Sequence, residues 1–525
     1  MDPDRIELLR NPDVFPEGGN SVEIIQTHLS VVCVVGDFAW KLKKAIRLPF
    51  ADFSTLEKRK HYCEEELRLN RRLCPDTYLD VVPLRQRPDG APVFCGESEG
   101  EIVDYAVRMK RLPANRMLDV LLGEGAVTED DVVSIATRMV AFHHDADRGK
   151  ETVRHGDPEK LWEFARENFE ETRGQVGEEA EAIFPRALHA ALESRNRSDF
   201  TRHRERLKAR AASGHVIDGH GDLHARNICL TDPLAIYDCI EFEPAFRCGD
   251  VATEHAFLVM DLRFRGHPEL ASAYLNAVIA ASGDAEMRAL MPMLVRYRAM
   301  VRAKVSAIAA GEHELSTGDR SEAAESARRY LRLAAASAIE ETGPWWLMLC
   351  GLPASGKSSL AEGLARASGG AWPIFSSDRI RKELAGIAPT EPLPEAFYAT
   401  AFSRRTYETL RNRASTATDE AKVVVLDANF REREERARAR EAAHKAGAKL
   451  AILQVHTDET IIVGRLDRRA GDPSVESDAD HAVYRKLAAA FEPPDADEAD
   501  RWMPVSGDTG AEQGGDAILA ALIEH

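Results

Sequence analysis

Long apolar runs are missing from this chain. Runs such as Trp345 to Leu349 have only the length of a strand, whereas a helix that crosses a bilayer needs about 20 such residues. No membrane partner is therefore expected. Met1 to Asn20 holds acids and prolines and no apolar stretch, which predicts no secretory leader and a cytoplasmic address. Paired cysteines are also missing. Eight (Cys33, Cys63, Cys74, Cys95, Cys229, Cys239, Cys248 and Cys350) are scattered without a CxxC pair or a Cys/His cluster of zinc spacing. They are expected to be reduced thiols packed as small hydrophobes. The adjacent His143 and His144 point in different directions on a helix and read as packing residues rather than metal ligands. Positive charge falls short as well: 69 Lys and Arg face 87 Asp and Glu, a net charge of −18. Such a balance opposes a phosphate backbone and disfavours nucleic acid as a partner. Tandem repeats and low-complexity tracts are absent.

What remains is a globular composition, 44% hydrophobic and 30% charged over 525 residues, too long for one hydrophobic core. Three segments are expected: β-rich 1–112, helical 113–340, and 341–525, where strands and helices alternate. In the first, the stretches 21–26, 31–35 and 38–46 read as strands, 53–73 as an amphipathic helix and 101–109 as a further strand. In the second, short apolar strands at 216–218 and 235–237 flank the segment His220 to Asn227. An Ala/Arg-rich helix over 321–339 suits a stiff connector as readily as a packed element. After Gly343-Pro344, apolar strands at 345–350, 372–375, 423–426 and 450–455 are separated by helical stretches, the pattern of βαβ units and a parallel sheet.

Gly351-Leu-Pro-Ala-Ser-Gly356-Lys357-Ser358 satisfies GxxxxGK[ST] and falls between an expected strand and an expected helix, the context in which such a loop cradles phosphates. Backbone N–H groups and the helix N-terminus would face the anion. Gly351, Ser355, Gly356, Lys357, Ser358 and Ser359 form this cofactor-binding set for ATP, with Lys357 reaching the β/γ-phosphates and the Ser358 hydroxyl on Mg²⁺. Asp427 and Asp378 stand at the ends of expected strands, where an open α/β sheet collects ligands. Asp427 suits the metal, and Asp378 suits proton removal from an acceptor hydroxyl held by Arg381. A strand-end capping role is the plain alternative for each acid. Arg465, Arg468 and Arg469 share a helical stretch before Gly471-Asp-Pro and could close over phosphates, or form a solvated face.

Taken together, the segment Ser376 to Lys382, the segment Leu426 to Phe430 and the arginine helix resemble the small P-loop kinases allied to polynucleotide 5′-hydroxyl kinases, over about residues 343–525. The resemblance implies an adenylate-kinase-like core, Asp378 as base, Arg381 as the acceptor-binding arginine of DxxR and Arg465 as a lid arginine. It implies the reaction class and leaves the acceptor open.

Upstream, His220-Gly221-Asp222-Leu223-His224-Ala225-Arg226-Asn227 places an Asp and, five residues on, an Asn in a short loop. A kinase catalytic loop needs this spacing, the Asp for the hydroxyl proton and the Asn for a metal ion. Asp238, 11 residues beyond Asn227, stands where a second metal-binding carboxylate belongs. Lys41 in Ala39-Trp40-Lys41 and Glu66 on the next helix complete the set, although Lys43 shares the strand face of Lys41 and Glu65 adjoins Glu66. The order Lys, Glu, DxxxxN, Asp resembles the aminoglycoside phosphotransferase-like branch of the protein-kinase fold over about residues 15–335. That resemblance implies an α+β kinase-like domain with a β-rich lobe, a hinge near Met109 to Leu112 and a helical lobe around the acceptor. The chain departs from the kinase pattern in lacking GxGxxG between its first two strands, where Thr27-His28-Leu29-Ser30 stands instead.

The whole chain thus resembles bifunctional aminoglycoside phosphotransferase-like/P-loop kinase fusions. The expected activity is ATP- and Mg²⁺-dependent phosphate transfer to hydroxyl groups of small-molecule acceptors, catalysed by Asp222 and Asp378. A nucleotide-gated regulatory protein with silent sites is the second reading, and a nucleic-acid 5′-hydroxyl kinase the third.

Overall fold

In the computed structural model, residues 3–94, 100–178, 182–312, 315–469, 479–508 and 510–524 are described. Cys95, the Gly471-Asp-Pro turn and the side chain of Arg469 lie outside them. The chain forms two compact units, the first made of Met1–Glu163, His203–Leu262 and Leu270–Met291 and the second of Phe164–Arg202, Arg263–Glu269 and Pro292–His525.

In the first unit, β1 (Glu23–Gln26), β2 (Ser30–Val35) and β3 (Phe38–Lys43) run antiparallel. Val35 pairs with Phe38 across Gly36-Asp37, and Gly36 at φ 54° supplies the left-handed residue that a two-residue hairpin turn requires. Helix α1 (Leu56–Asn70) starts where the Thr55 hydroxyl accepts from the Lys58 N–H, satisfying one of the donors a helix start leaves open. β4 (Tyr78–Gln86), β5 (Pro92–Phe94) and β6 (Glu101–Lys110) complete a six-stranded sheet of order β1-β2-β3-β6-β4-β5. β4 has no counterpart among the expected strands because Pro83 interrupts its pattern. The proline is tolerated since β4 meets β5 only from Leu84 onward, so one flank at Pro83 carries no ladder. Alternation along β3 sends Trp40 and Leu42 into a core with Phe15 and Phe94 and Lys41 and Lys43 to the opposite face. The pairs Val216–Asp218 with Cys248–Asp250, and Ile228–Cys229 with Ala235–Ile236, are both antiparallel. Helix α2 (Val251–Phe264) follows, with nearly every residue buried.

The second unit is built on five strands in the order β8 (Ile374–Ser376), β9 (Val423–Asp427), β7 (Trp345–Cys350), β10 (Lys449–His456), β11 (Arg501–Ser506), all parallel. Trp-Trp-Leu-Met-Leu-Cys in β7 and Val-Val-Val-Leu-Asp in β9 are buried throughout, as central strands covered on both faces must be. β11, an edge strand holding Pro504, was not expected. The Ala-rich helix Thr317–Thr342 buries Ala334, Ala335, Ala336 and Ala338 completely. Of the two roles expected for it, it therefore takes the packed one. Among the described residues no helix is long and apolar enough to cross a membrane.

Candidate functional site

The phosphate loop leaves β7 and enters helix α3 (Lys357–Ala367) with Ala354 at φ 61° and Gly356 at φ 100°. Three carbonyls of the loop accept from side chains. Leu352 O accepts from Lys357 Nζ at 2.7 Å, Ala354 O from Arg465 Nη1 at 3.1 Å, and Ser355 O from Thr457 Oγ1 at 2.8 Å. With these oxygens tied back, a loop of this kind can turn N–H groups toward an anion. The Ser355 hydroxyl is buried without a hydrogen-bond partner among the described residues, an orphan that a phosphate oxygen would satisfy. Ser358 and Ser359 are exposed on the first turn of α3. Arg465 also donates from Nη2 to Gly507 O at 2.7 Å, so it meets the loop through backbone oxygens. Arg468 instead donates to Gly464 O of its own helix at 3.1 Å.

Asp427 ends β9, paired with Leu349 of β7 and Ser376 of β8. Asp378 lies in the first turn of α4 (Ser377–Ala385), directly after β8. The loop, Asp427 and Asp378 thus share the carboxyl ends of three neighbouring strands, the ligand edge of an open α/β sheet. Arg381, one turn along α4, is buried. It donates from Nη1 to Phe397 O at 3.0 Å and Ser403 Oγ at 3.1 Å, and lies over the Tyr398 ring at 5.0 Å. Its Nε is buried with no hydrogen-bond partner among the described residues.

In the first unit, Lys41 Nζ stands 2.8 Å from Glu66 Oε1 and 2.5 Å from Asp238 Oδ1. Lys43 binds the other Glu66 oxygen at 2.7 Å and pairs with Glu241. Glu65 turns outward to Arg68. Burial works against ionising Glu66, but the two ammonium groups outweigh it and bring its pKa down to about 2. Burial likewise opposes the charge of Lys41, and Asp238 and Glu66 more than restore it, holding the ammonium well above its usual range. Glu241 goes the other way, pushed up by burial despite Lys43.

Asn227 Nδ2 donates to the Asp222 carbonyl and to Asp222 Oδ2, both at 3.0 Å. With its nitrogen tied down, the amide oxygen is the atom left for a cation. The Tyr237 N–H donates to Asn227 O at 3.0 Å, which brings Asp238 beside this loop. Asp238 holds φ 64°, a strained conformation for a non-glycine. It is fixed by its N–H on Tyr78 Oη at 3.3 Å and by His220 Nε2 on Tyr237 O at 2.9 Å. Burial lowers the His220 pKa, and the ring donates from Nε2 to the Tyr237 carbonyl while accepting the Asp222 N–H on Nδ1 at 3.3 Å, the pattern of a neutral imidazole. The oxygens of Asn227 and Asp238 suit Mg²⁺, which needs only one or two protein ligands. Among the described residues, no group of three or more His, Cys, Asp or Glu is placed to hold a metal ion.

Two functional residues escaped the sequence reading. Glu254 Oε1 accepts the N–H groups of His220 at 2.6 Å and Gly221 at 2.7 Å, while its Oε2 binds His143 Nε2 at 2.7 Å. Asp261 Oδ2 accepts the Ala225 N–H at 2.8 Å. Seven residues apart on α2, they lie on one face and hold the loop from behind. The local sequence carries no signal for these pairings, because the burial of the helix and the loop behind which it lies are set by tertiary structure. His143 is buried against Glu254, while His144 is exposed and pairs with Asp145 at 2.9 Å.

A family model described as an AAA domain matches residues 347–494, the stretch that holds the phosphate loop. Two mycobacterial relatives, uncharacterized protein Rv2004c of Mycobacterium tuberculosis and uncharacterized protein Mb2027c of Mycobacterium bovis, are each 30% identical over 474 residues, spanning 89% of this chain and 90% of theirs. Among solved structures, a gluconokinase from Sinorhizobium meliloti is 24% identical, covering 34% of this chain and 94% of its own at a TM-score of 0.25. A choline kinase from Cryptosporidium parvum is 11% identical, covering 65% and 97% at a TM-score of 0.37.

Proposed function

We propose that this chain, which belongs to the family of the mycobacterial proteins Rv2004c and Mb2027c, is a cytoplasmic ATP-dependent phosphotransferase with two nucleotide sites. In this reading 1–112 and 113–340 are the lobes of an aminoglycoside phosphotransferase-like domain and 341–525 a P-loop kinase domain. The observation that carries the phosphotransferase reading is the convergence of the phosphate loop, Asp378 and Asp427 at the ends of β7, β8 and β9; the second site rests on Lys41, Glu66 and Asp238 beside the Asp222–Asn227 loop.

In the C-terminal site Lys357 exchanges the Leu352 carbonyl for the β- and γ-phosphates. Asp378 takes the proton of an acceptor hydroxyl held by Arg381. The hydroxyl oxygen forms a bond to Pγ as the bond from Pγ to the bridging oxygen breaks, and ADP leaves. In the N-terminal site Asp222 takes the acceptor proton and Lys41 grips phosphates. Mg²⁺ would be held by Ser358 and Asp427 in one site and by Asn227 and Asp238 in the other, and supplies charge neutralisation at the phosphates.

One observation favours a narrower reading in which the N-terminal site binds nucleotide without transferring phosphate. The Thr27–Ser30 turn closes on itself, Thr27 N–H to Ser30 O at 2.9 Å and Ser30 N–H to Thr27 Oγ1 at 3.0 Å, so two N–H groups that could cover phosphates are engaged. An untargeted screen for metabolites phosphorylated by the intact chain tests both. The full reading expects one set of products lost in Asp222→Ala and another lost in Asp378→Ala. The narrower reading expects products lost only in Asp378→Ala. Products unaffected by Asp378→Ala would overturn the C-terminal assignment.

A further inference from the structure

Beneath the N-terminal site five charges alternate: Asp238, Lys41, Glu66, Lys43, Glu241. They grade in depth. The Asp238 side chain is 43% exposed and Lys41 14%, while Lys43 is 1% exposed and Glu241 7%. Lys43 also lies over the Phe53 ring at 5.1 Å. A lone Lys41–Glu66 pair would leave the second Glu66 oxygen charged and unpaired in a dry site, which is costly. Lys43 fills that gap, and Glu241 in turn balances Lys43. For Lys43 to reach a phosphate, two buried ion pairs would have to break. Lys41 need only exchange its exposed partner, Asp238.

We propose that Lys43 and Glu241 are a positioning pair for this site, fixing Glu66 from below so that Lys41 is the lysine that meets the nucleotide phosphates. The proposal rests on the reading of the N-terminal cleft as a nucleotide site. The second lysine of the strand is thus neither a redundant copy nor an alternative ligand. It converts Glu66 from a monodentate partner into a rigid bridge and frees Asp238 for the cation once Lys41 turns away.

The test uses the full-length chain carrying Lys357→Ala, so that the C-terminal loop no longer binds, and measures Mg²⁺-dependent affinity for a fluorescent ATP analogue alongside the melting temperature. Lys41→Met is expected to abolish binding. Lys43→Met and Glu241→Gln are each expected to weaken it about tenfold, and the double variant to be no weaker than Lys43→Met, because groups acting as a unit are not additive. Glu241→Gln, nearly isosteric, keeps the test open if Lys43→Met does not fold. Unchanged affinity in Glu241→Gln, fully additive losses, or binding that survives Lys41→Met but not Lys43→Met would overturn the proposal while leaving the cleft a nucleotide site. A parent that binds no nucleotide would instead remove the N-terminal site, and this inference with it.

Discussion

Glu254 carries a single charge into a site where it is 5% exposed and meets two backbone N–H groups and an imidazole. Burial opposes its ionisation, yet His143 and the N–H groups of the loop prevail and hold its pKa down to about 2. Removing it leaves the donors of His220 and Gly221 buried and unsatisfied, so Glu254→Ala is expected to lose about 3 kcal/mol or more of stability at neutral pH. A carboxyl whose folded pKa is depressed stabilises the fold above its unfolded value, about 4.3, and loses that contribution as pH falls toward the folded one. Denaturant titrations of both proteins should therefore show a difference that is constant above about pH 5 and shrinks between about 4 and 2. A difference that stayed level through that window would contradict the assignment. Residues of this kind were beyond the sequence because Glu254 finds its loop partners 33 and 34 positions away, a closeness that no local pattern encodes. The same holds for Lys43, whose partnership with Glu241 spans 198 positions. Asp222 and Asn227 are suggested by a fixed local spacing, whereas the strand face offers Lys41 and Lys43 alike and the sequence leaves the choice between them open.

At the scale of elements, the phosphate loop depends on a neighbour that its own motif does not contain. Gly507 follows β11 and packs so close that an added methyl group would overlap Ser355 O and the Thr457 hydroxyl. Gly507→Ala is accordingly expected to push the loop out of shape, lowering ATP affinity about tenfold or more and stability by roughly 1–3 kcal/mol. Calorimetric titration with MgATP checks the first and thermal melting the second; wild-type affinity in this variant would show that the contact is dispensable. The loop itself was readable because strand, turn and helix are local and its glycines, lysine and serine have mechanical duties. The central strands β7 and β9 were readable as unbroken apolar runs. β4 and β11 were not, because Pro83 and Pro504 erase the strand signal at positions where only one flank is paired. Nor could periodicity decide whether Thr317–Thr342 is packed, since alanines suit a buried face and an exposed helix equally; its burial depends on tertiary partners.

For the whole molecule, the match to Rv2004c and Mb2027c spans 89% of the chain, so it takes in residues of both units. The ingredients of the two proposed sites differ. In one, backbone N–H groups would cradle the anion, with carbonyls tied back by Lys357, Arg465 and Thr457. In the other, ion-paired side chains around Glu66 meet a loop whose Asn227 is oriented by Asp222. Two chemically distinct grips on one kind of ligand should fail independently. The most direct measurement is the stoichiometry of MgATP bound per chain at equilibrium, in the wild type and in the Lys357→Ala and Lys41→Met variants. Two nucleotides per wild-type chain are predicted, with one remaining in either single variant and none in the double. Binding that is absent from the wild type, or that persists undiminished in Lys357→Ala, would contradict the account.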